Sequence, residues 1–421
     1  MASQDSLEYL SSLGHKGIHL GLGPTSRLLK QFDNPQRRYK SILIGGTNGK
    51  GSVAAILSSI LGKTDKKIGL YTSPHLIDFR ERIRVNGQMI SQGRLCNLID
   101  MVREKSRDDV TFFEFTTVLA FLHFYLEGVD IAVLEVGMGG RLDATNLVTP
   151  EASVITNVSM EHKEYLGNTI ESIAREKGGI IKRGGICITA ADRPVVIDIL
   201  ESVCLQKGAR LFRYGKDMKI RKTKGGRIFY KGIDKTYSNL SFPLIGRHQV
   251  KNAALALAAV EVLVSRGLNV DDDAVSEGLS AVRWEGRLET VNRNPRIVID
   301  GAHNPAGISA LCDSLTTDFS YERLVCVFGV LADKDCKRML SRLAGIADHM
   351  ILTSPSNERA LSPDDMSLPA GKLHSNIEIA KDPQEAIARA SSIAGEGDLI
   401  CVTGSIYLAG EVKKSFSFNL F

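Results

Sequence analysis

Short apolar runs alternate with amphipathic stretches over most of this chain. The runs include SILIG at Ser41, IAVLEVG at Ile131, ASVITNV at Ala152, GICIT at Gly185, RIVID at Arg296, LVCVFGV at Leu324, HMILTS at His349 and DLICVTGS at Asp398. Each is of strand length and nearly continuously apolar, which suits strands covered on both faces. Residues 52–61, 115–125 and 253–265 lie between such runs and read as helices. The alternation predicts βαβ units and a mostly parallel sheet, an α/β fold. Residues 209–242 break the pattern. They are polar, glycine-punctuated and alternating, which predicts antiparallel hairpins at a sheet edge. NRNP at Asn292 reads as a hinge before a fresh βα series. Two domains are therefore expected, residues 1–290 and a smaller one of residues 291–421.

Composition narrows the function classes. The chain has 421 residues, too many for a typical single core, and 43% are apolar, which excludes a disordered or fibrous reading. The net charge of +5 is mild, and the basic residues are scattered, as in residues 216–227, so no nucleic-acid partner is expected. The seven cysteines include no C-x-x-C pair and several sit inside apolar runs, which suits buried, reduced thiols. The N-terminal sequence lacks a signal-peptide pattern. The most apolar helix-like stretch, AALALAAVEVLV at Ala253, is short for a membrane span and contains Glu261. A cytoplasmic protein with no membrane partner is expected, and a monomer.

Three polar clusters follow apolar strands. In SILIGGTNGKGSV a strand runs into a glycine-rich turn and then a helix beginning near Ser52. Glycines 45, 46, 49 and 51 let backbone N–H groups approach phosphate oxygens, and the helix N-terminus adds its positive end. Lys50 can reach phosphates, and Ser52 can face a phosphate or Mg²⁺. The general G-x-x-x-x-G-K-[ST] pattern is not met, because position 44 is Ile and Gly51 separates Lys50 from Ser52. In IAVLEVGMGGRLDATN, Glu135 ends a strand at the sheet edge where α/β folds bind ligands, and its carboxylate suits Mg²⁺. An ordinary solvated glutamate is the plain alternative. In ITNVSMEHKEYLG, His162 follows a strand, a position equally suited to a surface histidine. Lys177, before Gly178 and Gly179, reads locally as a helix-terminal lysine.

The motifs together resemble the folylpolyglutamate synthase/dihydrofolate synthase family of the Mur ligase superfamily. They run in order over nearly the whole chain. GLGPTSRLL at Gly21, GTNGKGS at Gly46, YTSPHL at Tyr71, ERIRVNG at Glu81 and FFEFTT at Phe112 come first. LEVGMGGRLDATN, EHKEYLG, EKGGIIK, HQVKNAALA, WEGRLE, DGAHNP, FGVLADKD and TGSIYLAGEV follow. The resemblance implies a P-loop Mur-ligase-like N-terminal domain and a Rossmann-like C-terminal domain. It implies that Gly46, Thr47, Asn48, Gly49, Lys50, Gly51 and Ser52 form the nucleotide loop, and that Asn252, Arg287, Asp300 and His303 also hold ATP. Ser73, Glu135 and His162 correspond to magnesium ligands, and Lys177 to a carbamylated lysine. Thr111, Phe112, Phe113 and Glu114, with Leu142, Asp143 and Ala144, correspond to a pterin-binding surface. Lys50, Lys177, Arg287 and His303 are the expected catalytic residues. Two departures stand out: Glu161 replaces the usual Asp before the magnesium histidine, and Gly178 replaces Ala.

The implied reaction is ATP-dependent addition of L-glutamate to dihydropteroate and to reduced folates. A carboxylate is a poor electrophile, so an acyl phosphate is expected. The alternatives are a ligase that only extends polyglutamate, another Mur-type amino-acid ligase, and a P-loop module without ligase chemistry. RLDATN at Arg141 favours both folate activities, and DGAHNP and WEGR would have no task in a bare P-loop module.

Overall fold

The computed structural model describes residues 2–17, 19–223 and 225–417. Its chain divides into two compact units. The first holds residues up to His75, Phe79–Pro243 and Gln249–Arg283; the second holds Leu76–Asp78, Leu244–His248 and everything from Trp284.

The first unit contains strands β1 (Lys40–Gly45), β2 (Ile68–Tyr71), β3 (Ile83–Val85), β4 (Gln88–Met89), β5 (Ile131–Glu135), β6 (Ala152–Ile155), β7 (Ile186–Thr189) and β8 (Arg210–Arg213). They form one sheet in the order β4-β3-β2-β5-β1-β6-β7-β8. Only the pairs β2–β3 and β3–β4 are antiparallel, so β3 alone runs against the rest. Strand β1 lies between β5 and β6, with Ile42 facing Val133 on one side and Ala152 on the other. Ile42, Leu43 and Ile44 are fully buried. Each such side chain stabilises the fold by roughly 2 kcal/mol. The chain leaves β1 toward β2 on one side and reaches β6 on the other. The C-terminal end of β1 is thus a topological switch point, the place where open α/β sheets take ligands.

Residues 209–242 do form hairpins, but not at the edge of that sheet. Residues 210–213 pair parallel with β7 as β8. The remainder forms a separate antiparallel sheet of β9 (Lys219–Lys222), β10 (Ile228–Lys231) and β11 (Thr236–Leu240). A buried carboxylate ties it to the helix Arg247–Ser265. Glu261 accepts hydrogen bonds from the Tyr230 hydroxyl (2.6 Å) and from the backbone N–H groups of Ile233, Asp234 and Lys235.

The second unit has β12 (Glu289–Arg293), β13 (Arg296–Ile299), β14 (Leu324–Phe328), β15 (His349–Leu352), β16 (Ile377–Ile379) and β17 (Leu399–Thr403). Their order is β12-β13-β17-β14-β15-β16, with β12 antiparallel and the rest parallel. Apolar side chains cover both faces. NRNP is not a hinge. Its residues end β12 and turn directly into β13, with Arg293 paired to Arg296. The expected boundary after residue 290 falls inside β12, whereas the compact units part between Arg283 and Trp284. Among the described residues no helix is long and apolar enough to cross a membrane.

Candidate active site

The glycine-rich turn after β1 is held open by partners from the segment just beyond β6. The helix begins at Lys50 (Lys50–Leu61), two residues earlier than the pattern suggests. Thr47 N–H donates to Asn157 O (2.9 Å), and Asn48 N–H donates to the Asn157 side-chain oxygen (3.1 Å). Asn48 O accepts from the Thr156 hydroxyl (2.7 Å) and from the Asn157 amide (2.9 Å). The Thr47 hydroxyl accepts from Ser159 N–H (3.0 Å). Sequence reasoning missed Thr156, Asn157 and Ser159; the polar TN ending the apolar run at Ala152 was their only local sign. Gly46 and Gly49 have φ of +132° and +86°. A Cβ at Gly46 would collide with the Thr156 hydroxyl, and one at Gly49 would lie 2.6 Å from the Asn252 side-chain oxygen. Asn252, on the helix Arg247–Ser265, therefore forms part of the loop's wall. No side chain caps the helix at Lys50. The result is a backbone-lined cradle with an open helix N-terminus, which fits phosphate oxygens.

Two lysines converge on this cradle. Lys50 Nζ donates to Gly46 O (3.1 Å) and Thr47 O (3.0 Å). Lys177 Nζ donates to the same Gly46 O (2.9 Å) and to Glu161 Oε1 (2.5 Å). Lys177 does lie in the last turn of the helix Ile170–Gly178, as its neighbours predict, but it is 1% exposed, so its amine is held inside the protein. Burial pushes its amine below the ordinary value; Glu161 opposes this and Lys50 adds to it. Burial alone would raise the Glu161 carboxyl, but the Lys177 and Lys50 charges and the Lys177 hydrogen bond hold it at about 2.

Two of the candidate metal residues, Ser73 and Glu135, sit at neighbouring strand ends, while His162 lies in the loop beyond β6, before the helix Lys163–Leu166. Glu135 ends β5 and is buried; its Oε2 accepts from Ser73 N–H (3.0 Å), just beyond the adjacent β2. His162 adopts φ +44°, a left-handed conformation that costs a non-glycine residue about 1 kcal/mol or more. Ser73 and Glu135 offer oxygen donors suited to Mg²⁺ or Mn²⁺, to which His162 would add a nitrogen; among the described residues no three His, Cys, Asp or Glu side chains are gathered as a metal cluster.

The expected pterin surface divides into two kinds of residue. Thr111 and Glu114 make the capping box of the helix Phe112–Leu126, with Glu114 Oε2 accepting from Thr111 N–H (2.9 Å) and its hydroxyl (2.8 Å). Phe112 and Phe113 remain as partly exposed rings. The Arg82 guanidinium lies 5.4 Å from the Phe112 ring centre, and Phe113 packs 6.2 Å from Tyr71. Asp143 is buried and serves its own loop. It accepts from Met138 N–H (3.0 Å), Thr145 N–H (3.0 Å) and the Thr145 hydroxyl (2.5 Å). Burial raises its carboxyl above the usual range against these bonds. Leu142 and Ala144 flank it, Ala144 buried.

In the second unit, Asp300 follows β13. Its carboxylate accepts from Leu288 N–H (3.0 Å) and Ala302 N–H (2.9 Å), so it pins the segment carrying Arg287. Arg287 donates to Gly286 O (2.9 Å) and packs on Gly301. His303 Nδ1 lies 2.9 Å from Gly301 O.

This pairing of a glycine-loop cradle with a buried Lys–Glu pair and a second α/β unit is the build of a Mur ligase. The sequence profile of the Mur ligase middle domain matches residues 44–260, and that of the Mur ligase glutamate ligase domain matches residues 286–406. The dihydrofolate synthase/folylpolyglutamate synthase of Bacillus subtilis is 33% identical over 98% of this chain and 99% of its own. The solved folylpolyglutamate synthase of Mycobacterium tuberculosis, complexed with ADP, superposes with TM-score 0.91 at 34% identity, covering 98% of this chain and 99% of that one. A bifunctional folylpolyglutamate synthase/dihydrofolate synthase solved with Mn, AMPPNP and L-glutamate reaches TM-score 0.88 at 29% identity, covering 98% of each. This chain belongs to the dihydrofolate synthase/folylpolyglutamate synthase family.

Proposed function

We propose that this protein is an ATP- and magnesium-dependent ligase that adds L-glutamate to dihydropteroate and to the γ-carboxylate of reduced folates. The observation that carries the reading is the uncapped N-terminus of the helix Lys50–Leu61, with Lys50 folded over the glycine-rich loop onto Gly46 O and Thr47 O. That arrangement concentrates positive charge where a polyphosphate would rest. It supports a chain relative to those solved with ADP and with AMPPNP and glutamate.

The chemistry follows in two balanced steps. The γ-phosphoryl group passes from ATP to a substrate carboxylate oxygen, and ADP leaves. The glutamate amine then attacks the acyl carbon; a C–N bond forms, the C–O bond to phosphate breaks, and the amine loses a proton. Magnesium, when bound, supplies positive charge to the phosphate oxygens. Ser73, Glu135 and His162 would hold it. Lys50 sits where it can follow charge onto the transferring group, and Arg287 and His303 stand at positions that correspond to further ATP-holding residues of the family. Phe112 and Phe113 offer stacking faces to a pterin. Asp143 acts through the loop it organises rather than as the pterin's hydrogen-bond acceptor, because its own loop already occupies its carboxylate.

Lys177 is a candidate for carbamylation. The buried, depressed amine is the form that reacts with CO₂. Modification would turn the Lys177–Glu161 ion pair into two facing carboxylates, which only a nearby cation would stabilise. Carbamate and Mg²⁺ should therefore load together, and intact mass measured with and without Mg²⁺ and bicarbonate tests this. The free thiols among the described residues suit a reduced compartment, and we place the protein in the cytoplasm as a monomer. ADP release with dihydropteroate, tetrahydrofolate or a nucleotide-sugar acid, each with and without glutamate, tests the whole reading. Turnover only with the nucleotide-sugar acid would overturn it; turnover with tetrahydrofolate alone would remove the dihydropteroate half.

A further inference from the structure

The positive charge of this chain is not spread over it. Residues 209–242 hold ten Lys or Arg against two Asp or Glu, a net of +8, while the whole chain stands at +5. All remaining residues together therefore carry −3. The alternation of β9 and β10 then sorts these residues by face. Ile220, Ile228, Tyr230, Tyr237 and Leu240 are buried. On the opposite face Lys219 stands across from Lys231, and Arg221 across from Phe229. Arg227 is exposed one step before β10. The Arg221 guanidinium lies 5.1 Å over the Phe229 ring centre.

This face is costly as built. Like charges directly opposite one another destabilise a strand pair. Among the described residues, Lys219, Arg221 and Lys231 have no carboxylate partner. The segment's Asp217 is used by Arg213 N–H instead. Lysine often guards an exposed sheet edge against other strands. Edge guarding accounts for the cations of one edge strand, β9 (KIRK), but not for Lys231 at the end of the central strand β10, Arg227 just before it, or the other edge strand β11 (TYSNL), which carries no cation.

We propose that this face binds single-stranded nucleic acid without sequence preference. Lys219, Arg221, Arg227 and Lys231 would meet phosphates, and the Arg221–Phe229 plane would stack a base. The planar pair favours nucleic acid over an acidic polypeptide, which needs cations alone. The face has no exposed large apolar side chain to enter a lipid surface. The scattered look of the basic residues in sequence is the two-residue period of the strands.

The test uses the full chain and fluorescence anisotropy of labelled oligouridine, with heparin, poly-γ-glutamate and phosphatidylserine vesicles in parallel. Four phosphate contacts, at a slope of about −0.7 each, weaken binding about 50-fold between about 50 and 200 mM salt. Lys219→Gln with Lys231→Gln should leave about a sevenfold salt effect, on the same slope, with the ligase rate unchanged. Phe229→Ser should weaken oligouridine and spare heparin. Should the double variant fail to fold, Arg221→Gln alone serves in its place, with about three-quarters of the slope expected. The proposal is overturned by no oligouridine binding at low salt. It is equally overturned if heparin or poly-γ-glutamate binds as tightly and Phe229→Ser changes nothing, or if vesicles compete better than oligouridine.

Discussion

The turn after β1 and the turn after β13 are built alike up to the helix that follows. Each is a buried strand, a polar turn and a helix in an α/β unit. At the helix N-terminus they part. Gly49, at φ +86°, precedes the first helix with no side-chain cap. Asn304 precedes the helix Pro305–Asp318 and caps it, its side-chain oxygen accepting from Gly307 N–H at 2.8 Å. A capped helix end has spent its donors on its own chain; an uncapped one keeps them for a ligand. On the function proposed above, the first turn is the one that would receive phosphate. The second is a rigid arm, in which Asp300 fixes the Arg287 segment and His303 bonds back to Gly301.

Lys50→Ala should break this contrast hardest. Loss of one preorganised charge contact predicts a fall of about 10²-fold or more in kcat/KM, with unchanged circular dichroism; near-parental turnover would remove the receptor role of the first turn. Gly49→Ala comes next. Its Cβ would press on Asn252, which cannot easily retreat, and φ +86° strains any alanine. Strain of about 1–3 kcal/mol should weaken ADP binding roughly tenfold to a hundredfold, read by calorimetry. The matching change in the arm, Gly301→Ala, meets only the flexible end of Arg287. It should lower kcat/KM by less than Gly49→Ala lowers ADP affinity, and the reverse order would undo the comparison. Asn304→Ala should cost about 1 kcal/mol of stability and leave ADP affinity alone. The chain's one tryptophan, Trp284, lies in the second unit and reports that unit's urea unfolding.

Much of this was legible in the sequence because it depends on local pattern. SILIG followed by glycines marks a buried strand and a phosphate turn, and Glu135 marks a strand end. What escaped depends on pairing across long separations. Nothing near Asn48 announces that Asn157 will grip it. The helix start at Lys50 rather than Ser52 follows from those grips. Lys177 is the helix-terminal lysine its neighbours predict, but the sequence does not show Gly46 or Glu161, the partners it meets. The sequence places Asp143 in a polar turn but does not show that Met138 and Thr145 will donate to its carboxylate. NRNP has hinge composition, yet cross-strand pairing makes it a hairpin turn.

The Glu261 carboxylate also marks where the chain can be engineered. The turn between β9 and β10 is exposed at Gly225 and Gly226. A tag or reporter inserted there only lengthens a surface loop, at about 0.6 kcal/mol for each doubling in length. The turn at the other end of β10 offers no such freedom. Its N–H groups at Ile233, Asp234 and Lys235 are the donors that satisfy the buried Glu261, and even a single added residue would strand that charge inside the protein.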